Sequence, residues 1–321
     1  LLSDPDRVLT RLDAFIAAYG ARASLFELWT SRPAMFRLLL LLFDRSEFLA
    51  EVAIRTPDLI DDLVVGERLA QRKTAEEIFR DLDHGRNDPD QFLWLRRYHT
   101  AELMRLGLRD ILGLVDFEQN LKELSALADA CLGYALHIVM REQRLKRPPF
   151  AIIGLGKLGG CEINYGSDLD LVFVTGAEAK NLPKLQKLAA RVMDLMSRRT
   201  EQGIVLPTDA RLRPDGEKGL LVNKLAACEA YYWQRAQLWE IQSLTRVRFV
   251  AGDAAVGRKF QELAARLTDF SRVGQASRLP QTSSPRGRKI KDRRDACPPL
   301  PSCLTPDWKA KIREMRLRIE K

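Results

Sequence analysis

The 321-residue chain is 46% hydrophobic and 30% charged, the balance of a folded globular protein long enough for two domains and a sizeable core. No uninterrupted apolar run approaches the roughly 20 residues of a membrane span; "FRLLLLLF" (36–43) is short and bordered by arginines. The net charge of +9 suggests a nucleic-acid partner, but Ser271 to Ala296 alone carry +6, which leaves +3 for the rest and places the basicity in one stretch rather than a folded groove.

The start, "LLSDPDRVLTRLDAF", has no basic region followed by a long apolar core, so no secretory signal is read there. The chain begins without Met and stops mid-pattern at "REMRLRIEK", and a piece of something longer is expected. Five scattered cysteines without metal-binding spacing read as reduced thiols of a cytoplasmic protein. His84, His99 and His137 are far apart in sequence and read as packing or surface residues.

Residues 1–146 read as an α-helical domain. Asp4 is placed to cap a first helix, with Pro5 at its first position, apolar residues at Val8, Leu9, Leu12, Phe15 and Ile16, and Gly20 as the stop. Breaks are expected at Asp44-Arg45-Ser46 and at Thr56-Pro57. Two longer segments, 88–114 and 116–145, carry apolar residues at three- and four-residue steps, the pattern of helices packed by amphipathic faces.

Pro148 and Pro149 end that rhythm, and residues 147–271 alternate as a small α+β domain. Strands are expected at 150–154 and 169–174, a helix over 184–200, a strand over 203–213, a turn at Pro214-Asp215-Gly216 and a second helical stretch over 223–250. Residues 272–305 are rich in Ser, Pro, Arg and Lys and read as disordered. Residues 306–321 read as the start of a further helical region.

The chemistry is expected at "AIIGLGKLGGCEINYGSDLDLVFVT" (151–175). Strand alternation puts Asp168 and Asp170 on one side, about 6 to 7 Å apart at their Cα atoms. Two carboxylates that close repel each other unless a divalent cation lies between them, and carboxylate oxygens suit magnesium with its waters and phosphates. Upstream, "GLGKLGG" (154–160) has glycines that let backbone amides approach an anion, with Lys157 as an added cation. It has neither P-loop spacing nor a dinucleotide fingerprint and serves equally as a structural turn. Gly166-Ser167 adds a flexible turn whose hydroxyl either holds a phosphate oxygen or caps the turn. In "TDARLRPDG" (208–216) a strand would put Asp209, Arg211 and Arg213 on one face. If it lies beside 168–174, Asp209 completes a carboxylate triad, and the arginines face polyphosphate, a protein surface or a structural acid such as Glu240.

Gly-Ser, Asp-x-Asp and a distant Asp on a neighbouring strand resemble the nucleotidyltransferase superfamily to which DNA polymerase beta belongs. More narrowly, "GLGKLGGCEINYGSDLDLVFV", "TDARLRPDGEKGLLV" and "LWEIQSLTRVRFVAGD" are similar to the glutamine synthetase adenylyltransferases, over about residues 4–270. The resemblance implies an α+β fold: the helical domain, then a polymerase-beta-like catalytic domain with a small mixed sheet flanked by helices. It implies ATP as substrate and two Mg2+ ions, held by Asp168 and Asp170 with Asp209 on the second. Asp209 is then the candidate base for a tyrosine hydroxyl of glutamine synthetase, and Gly166, Ser167, Lys157, Arg211 and Arg213 bind the nucleotide. Glutamine synthetase and the PII signal protein are the implied partners, with neither membrane nor nucleic acid. "YGSDLDLVF" and "WEIQSLTRVR" look more like the domain that attaches AMP than the one that removes it by phosphorolysis. A truncated docking module without catalysis is the other alternative. The basic stretch at 272–305 departs from the family pattern.

Overall fold

The computed structural model describes residues 2–60, 68–201, 203–270, 301–305 and 307–319. They fall into two compact units: Leu1–Ile138 with Cys161–Ser167 and Leu195–Pro207, and Val139–Gly160 with Asp168–Asp194 and Thr208–Lys321.

The first unit is helical. In α1 (Pro5–Tyr19) the Asp4 side chain accepts from the Arg7 amide, and Gly20, at φ +77°, ends the helix in a conformation glycine adopts freely. Val8 and Phe15 are buried as expected, whereas Leu9 is exposed. α2 (Arg22–Ser31), α3 (Pro33–Arg45) and α4 (Glu47–Arg55) follow; Ser46 breaks α3 and caps α4 by accepting from the Leu49 amide. Phe15, Met35, Leu39, Leu42 and Phe43 share a core with Met104 and Leu108 of α6 (Gln91–Ile111). α5 (Ala75–His84) opens with a Thr74–Glu77 capping box. α7 (Phe117–Glu142) is long and apolar enough to cross a membrane by length and composition, and 72% of its most apolar window is buried inside the protein.

One feature of this unit departs from simple apolar packing. Arg105 and Arg109 of α6 are about as buried as the leucines around them. Arg105 Nε donates to Glu102 at 2.8 Å, Lys73 reaches Glu102 at 2.7 Å and Asp81 at 2.8 Å, and Arg109 reaches Glu123 at 3.2 Å. The same guanidinium groups donate to the carbonyls of Leu69 and Gln71. Buried charge is tolerated here because each has an opposite partner and further hydrogen bonds.

The second unit is built on a mixed sheet. β1 (Ala151–Gly154) lies antiparallel between β2 (Leu169–Thr175) and β5 (Arg248–Gly252). The far edge of β2 is shared: β3 (Thr208–Asp209) pairs in parallel with its first residues and β4 (Val222–Lys224) with its last. β1 is buried throughout, and β2 everywhere but at Asp170, which is why both read as near-continuous apolar runs. Ala151, Ile153, Val172 and Val174 pack with Tyr232 of α10 (Leu225–Gln234), Ile241 of α11 (Leu238–Ser243) and Phe260 and Leu263 of α12 (Ala254–Leu267). α8 (Gly156–Gly159) is a single turn after β1, and α9 (Leu182–Ser197) follows β2.

The α+β class holds, with two corrections. The strand expected over 203–213 shrinks to Thr208–Asp209, because the chain turns at Ala210, where the Arg213 amide bonds the Ala210 carbonyl. The helical stretch expected over 223–250 is instead β4, α10, α11, a 3-10 turn at Leu244–Arg246 and the start of β5. The disorder expected over 272–305 concerns, up to residue 300, positions outside the described residues. Residues 301–305 are packed: Ser302 donates its amide to the Trp233 carbonyl and Leu304 is buried. Trp308, which opens α13 (Trp308–Ile319), stacks on Phe270 with centroids 4.6 Å apart.

Candidate active site

β2 delivers Asp170, and Asp168 immediately precedes the strand. Alternation puts Asp170 on the same side of the strand as Val172 and Val174. The valines are covered by helices, whereas Asp170 is half-buried and Asp168 exposed. The pair therefore sits where the helical cover ends.

β3 brings the third acid. Asp209 is the direct register partner of Asp170 in the parallel pair, one strand spacing of about 4.8 Å away with its side chain on the same side. A two-residue strand is enough to set that register.

The glycine turn closes against the pair. The Leu155 amide donates to the Asp170 carbonyl at 3.0 Å, so the sheet ladder runs into the turn. Gly156 has φ +53°, and a Cβ placed there would lie 2.3 Å from Asp170 Oδ2. Backbone therefore occupies the space a side chain would take from the carboxylate. Lys157 is exposed, and its charge favours ionised Asp170. Behind the turn, Gly159 packs so closely that an added Cβ would meet the Arg246 carbonyl at 1.6 Å, and Arg248 Nη2 donates to the Leu158 carbonyl at 2.8 Å. The stretch 244–248 is thus a bracket for the glycine turn. Sequence reading missed it by extending a helix to 250; the alternation in "RVRFV" before Gly252 is the signal for β5.

The remaining expected residues divide. The Ser167 hydroxyl donates to the Asn164 carboxamide oxygen and accepts from the Asn164 amide, which is the turn-capping alternative, and Ser167 is buried. Gly166 takes φ +76° with open space around it, so it supplies a turn and no close approach. Arg213 is bolted to the carbonyls of Ala210, Gly219 and Glu217 and holds the 210–219 loop together. The shared strand face expected for Arg211 and Arg213 does not form, because the chain leaves β3 before either of them. Arg211 instead turns back on Asp209: Nε lies 2.6 Å and Nη2 2.5 Å from Oδ2, and its amide donates to Oδ1 at 2.7 Å. Glu240 pairs with neither arginine; it accepts from the Tyr231 hydroxyl and the Gln237 amide.

Electrostatics separate the three acids. Burial, then the charges of Asp168 and Asp209, push the Asp170 carboxyl above the usual carboxylate range. Hydrogen bonds from Arg211 hold Asp209 below it. Among the described residues no three His, Cys, Asp or Glu side chains are poised as a ready metal-holding group; Asp209 is committed to Arg211. The donor set nonetheless suits a hard divalent cation. It offers carboxylate oxygens only, and Asp170, disfavoured as an anion first by burial and then by the charges of Asp168 and Asp209, would gain from a cation beside it.

Residues 36–263 match the family described as glutamate-ammonia ligase adenylyltransferase. The chain is 36% identical over 274 residues to a protein of Aromatoleum aromaticum, covering 81% of this chain and 29% of the relative. It is 34% identical to one of Chromobacterium violaceum, covering 80% and 30%, and 31% identical to one of Thioalkalivibrio sulfidiphilus, covering 84% and 31%. Each of these relatives is named a bifunctional glutamine synthetase adenylyltransferase/adenylyl-removing enzyme. The chain thus spans about three tenths of the length of the curated relatives it matches.

Proposed function

This chain belongs to the glutamate-ammonia ligase adenylyltransferase family, and from that premise we propose that it transfers AMP from ATP to a tyrosine of glutamine synthetase. The observation that carries the reading is the register of Asp170 opposite Asp209, with Asp168 one residue before β2. Asp168, Asp170 and Asp209 are the residues to hold Mg2+, two ions in this reading. Bound there, the metal would neutralise charge on the triphosphate and lower the proton affinity of the attacking hydroxyl.

The chain's own groups do the rest. The turn at Gly156 lets backbone and nucleotide share the space beside Asp170, and Lys157 adds positive charge on that side. The tyrosine oxygen forms its bond to the α-phosphorus as the bond to pyrophosphate breaks. Asp209, once released by Arg211, is placed to take the phenol proton, which an unperturbed tyrosine holds up to about pH 10. Positioning and charge neutralisation account for most of the acceleration. A cytoplasmic setting suits the four described cysteines, all of them free thiols. PII is proposed as the regulatory partner on the family resemblance alone.

Intact-mass measurement of glutamine synthetase after incubation with this chain, ATP and Mg2+ tests the reading: one adenylyl group per modified subunit is expected. The relatives' names also print removal, which is the second reading. Loss of AMP from modified glutamine synthetase in phosphate, with no gain in ATP, would establish it instead.

A further inference from the structure

Two arginines leave β3 within five residues and meet different fates. The guanidinium of Arg213 is spent on three backbone carbonyls. That of Arg211 is exposed, and its hydrogen bonds go to the carboxylate the metal site needs. Asp209 is by contrast mostly covered. Within this fold Arg211 is therefore the mobile partner and Asp209 the fixed one. The other charges acting on Arg211 are Glu217 on its own loop and Asp168 just before β2.

A divalent cation arriving alone must evict this guanidinium and leave it facing solvent beside Asp168. A nucleoside triphosphate changes the balance. Its phosphate oxygens offer Arg211 a forked, charge-assisted arrangement equivalent to the one it gives up. Resting on the nucleotidyltransferase reading above, we propose that Arg211 is an exchangeable counter-ion of Asp209. Its transfer to the incoming polyphosphate makes nucleotide and divalent cation bind cooperatively. The ligand class is a nucleoside triphosphate with a hard divalent cation, and the residue acts as a positioning group that keeps the empty site from loading metal alone. Linkage requires that the coupling be reciprocal: nucleotide tightens metal by the factor by which metal tightens nucleotide.

The test uses Mn2+ as the probe, with its binding to the 321-residue chain followed by electron paramagnetic resonance. Titrations are run with and without an ATP analogue bridged by methylene between the α- and β-phosphates, and corrected for Mn2+ held by the analogue in solution. For the wild-type chain the analogue is expected to tighten Mn2+ on the order of tens of fold, within the usual range of site-to-site coupling. In Arg211→Ala, Mn2+ alone should bind roughly fivefold tighter or better, and the coupling should fall toward unity. Arg211→Lys should keep part of the coupling, because it retains the charge and loses the fork. Unchanged Mn2+ affinity in Arg211→Ala, with wild-type coupling intact, overturns the exchange and leaves the nucleotidyltransferase reading standing. A wild-type chain that binds no Mn2+ even with the analogue overturns both. Arg211 is on an exposed loop, and thermal melting of each variant checks that the fold is retained.

Discussion

The two units handle charge in opposite ways. In the helical unit Lys73, Arg105 and Arg109 meet Asp81, Glu102 and Glu123, three cations against three carboxylates. In the sheet unit Asp170 and Asp209 stand opposite each other across β2 and β3, Asp168 just precedes β2, and one arginine is turned onto Asp209. A balanced network specifies packing and asks for nothing further. An unbalanced one is a cost to the fold that a ligand can remove, and so marks chemistry.

The sharpest way to probe the contrast is Asp170→Asn. On the proposed reading, in which this carboxylate positions charge in the transition state, it should abolish AMP transfer, by at least about a thousandfold. The same change should raise the melting temperature of the metal-free chain, since the ionised carboxylate is disfavoured where it stands. An active Asp170→Asn chain would break the comparison outright. Glu123→Ala is the counterpart in the helical unit. It leaves Arg109 buried without its acid and should cost about 3–5 kcal/mol in urea unfolding, the range for removing one member of a buried pair. Next in size, Gly156→Ala drives a methyl against Asp170 Oδ2 and strains a positive φ. AMP transfer should fall roughly ten- to a hundredfold, on the scale of a 1 Å misplacement at a reacting centre, while circular dichroism remains unchanged.

Acid should weaken the units differently. His99 in the helical unit is buried and driven down to about 4 by that burial, with Arg96 adding to the shift. It is neutral when folded and titrates near 6.5 when unfolded, so its contribution is whole above about pH 6.5 and lost as pH falls toward 4. Chemical unfolding across that window should show the loss, and His99→Gln should flatten it. Asp170 has the opposite sign: an acid with a raised folded-state pKa destabilises only once ionised. The melting-temperature gain of Asp170→Asn should therefore be present at pH 7 and vanish below about pH 3.8, the unperturbed value, where both chains are neutral at that position. This is the smallest effect of the series, and differential scanning calorimetry across pH reads it.

The features written in short stretches were legible in the sequence. Asp170 is the one residue of β2 that is not fully buried, and Asp4-Pro5 begin a helix, because each depends on residues a few positions apart, whereas the helix expected to run to Pro148-Pro149 already ends at Glu142. What depends on distant partners was not. "TDARLR" alternates like a strand, yet it leaves the sheet at Ala210 because Arg213 finds the carbonyls of a loop four and six residues later. "QSLTRVRF" carries mixed periodicity, and only β1 beside it makes residues 248–252 a strand. The buried arginines of α6 could not be told from a solvated face, since nothing local names Glu123 or the carbonyls at 69 and 71 as their partners. The position of Asp209 in the site was an expectation of register, and β3 supplies that register in two residues.

The stacked rings of Phe270 and Trp308 have a consequence for how this chain tolerates change. They join the residue group after α12 to the start of α13, and both rings pack against the core of the sheet unit. Trp308→Ala should therefore loosen the hold of α13 on that core and open it to protease while the carboxylate register stays where it stands.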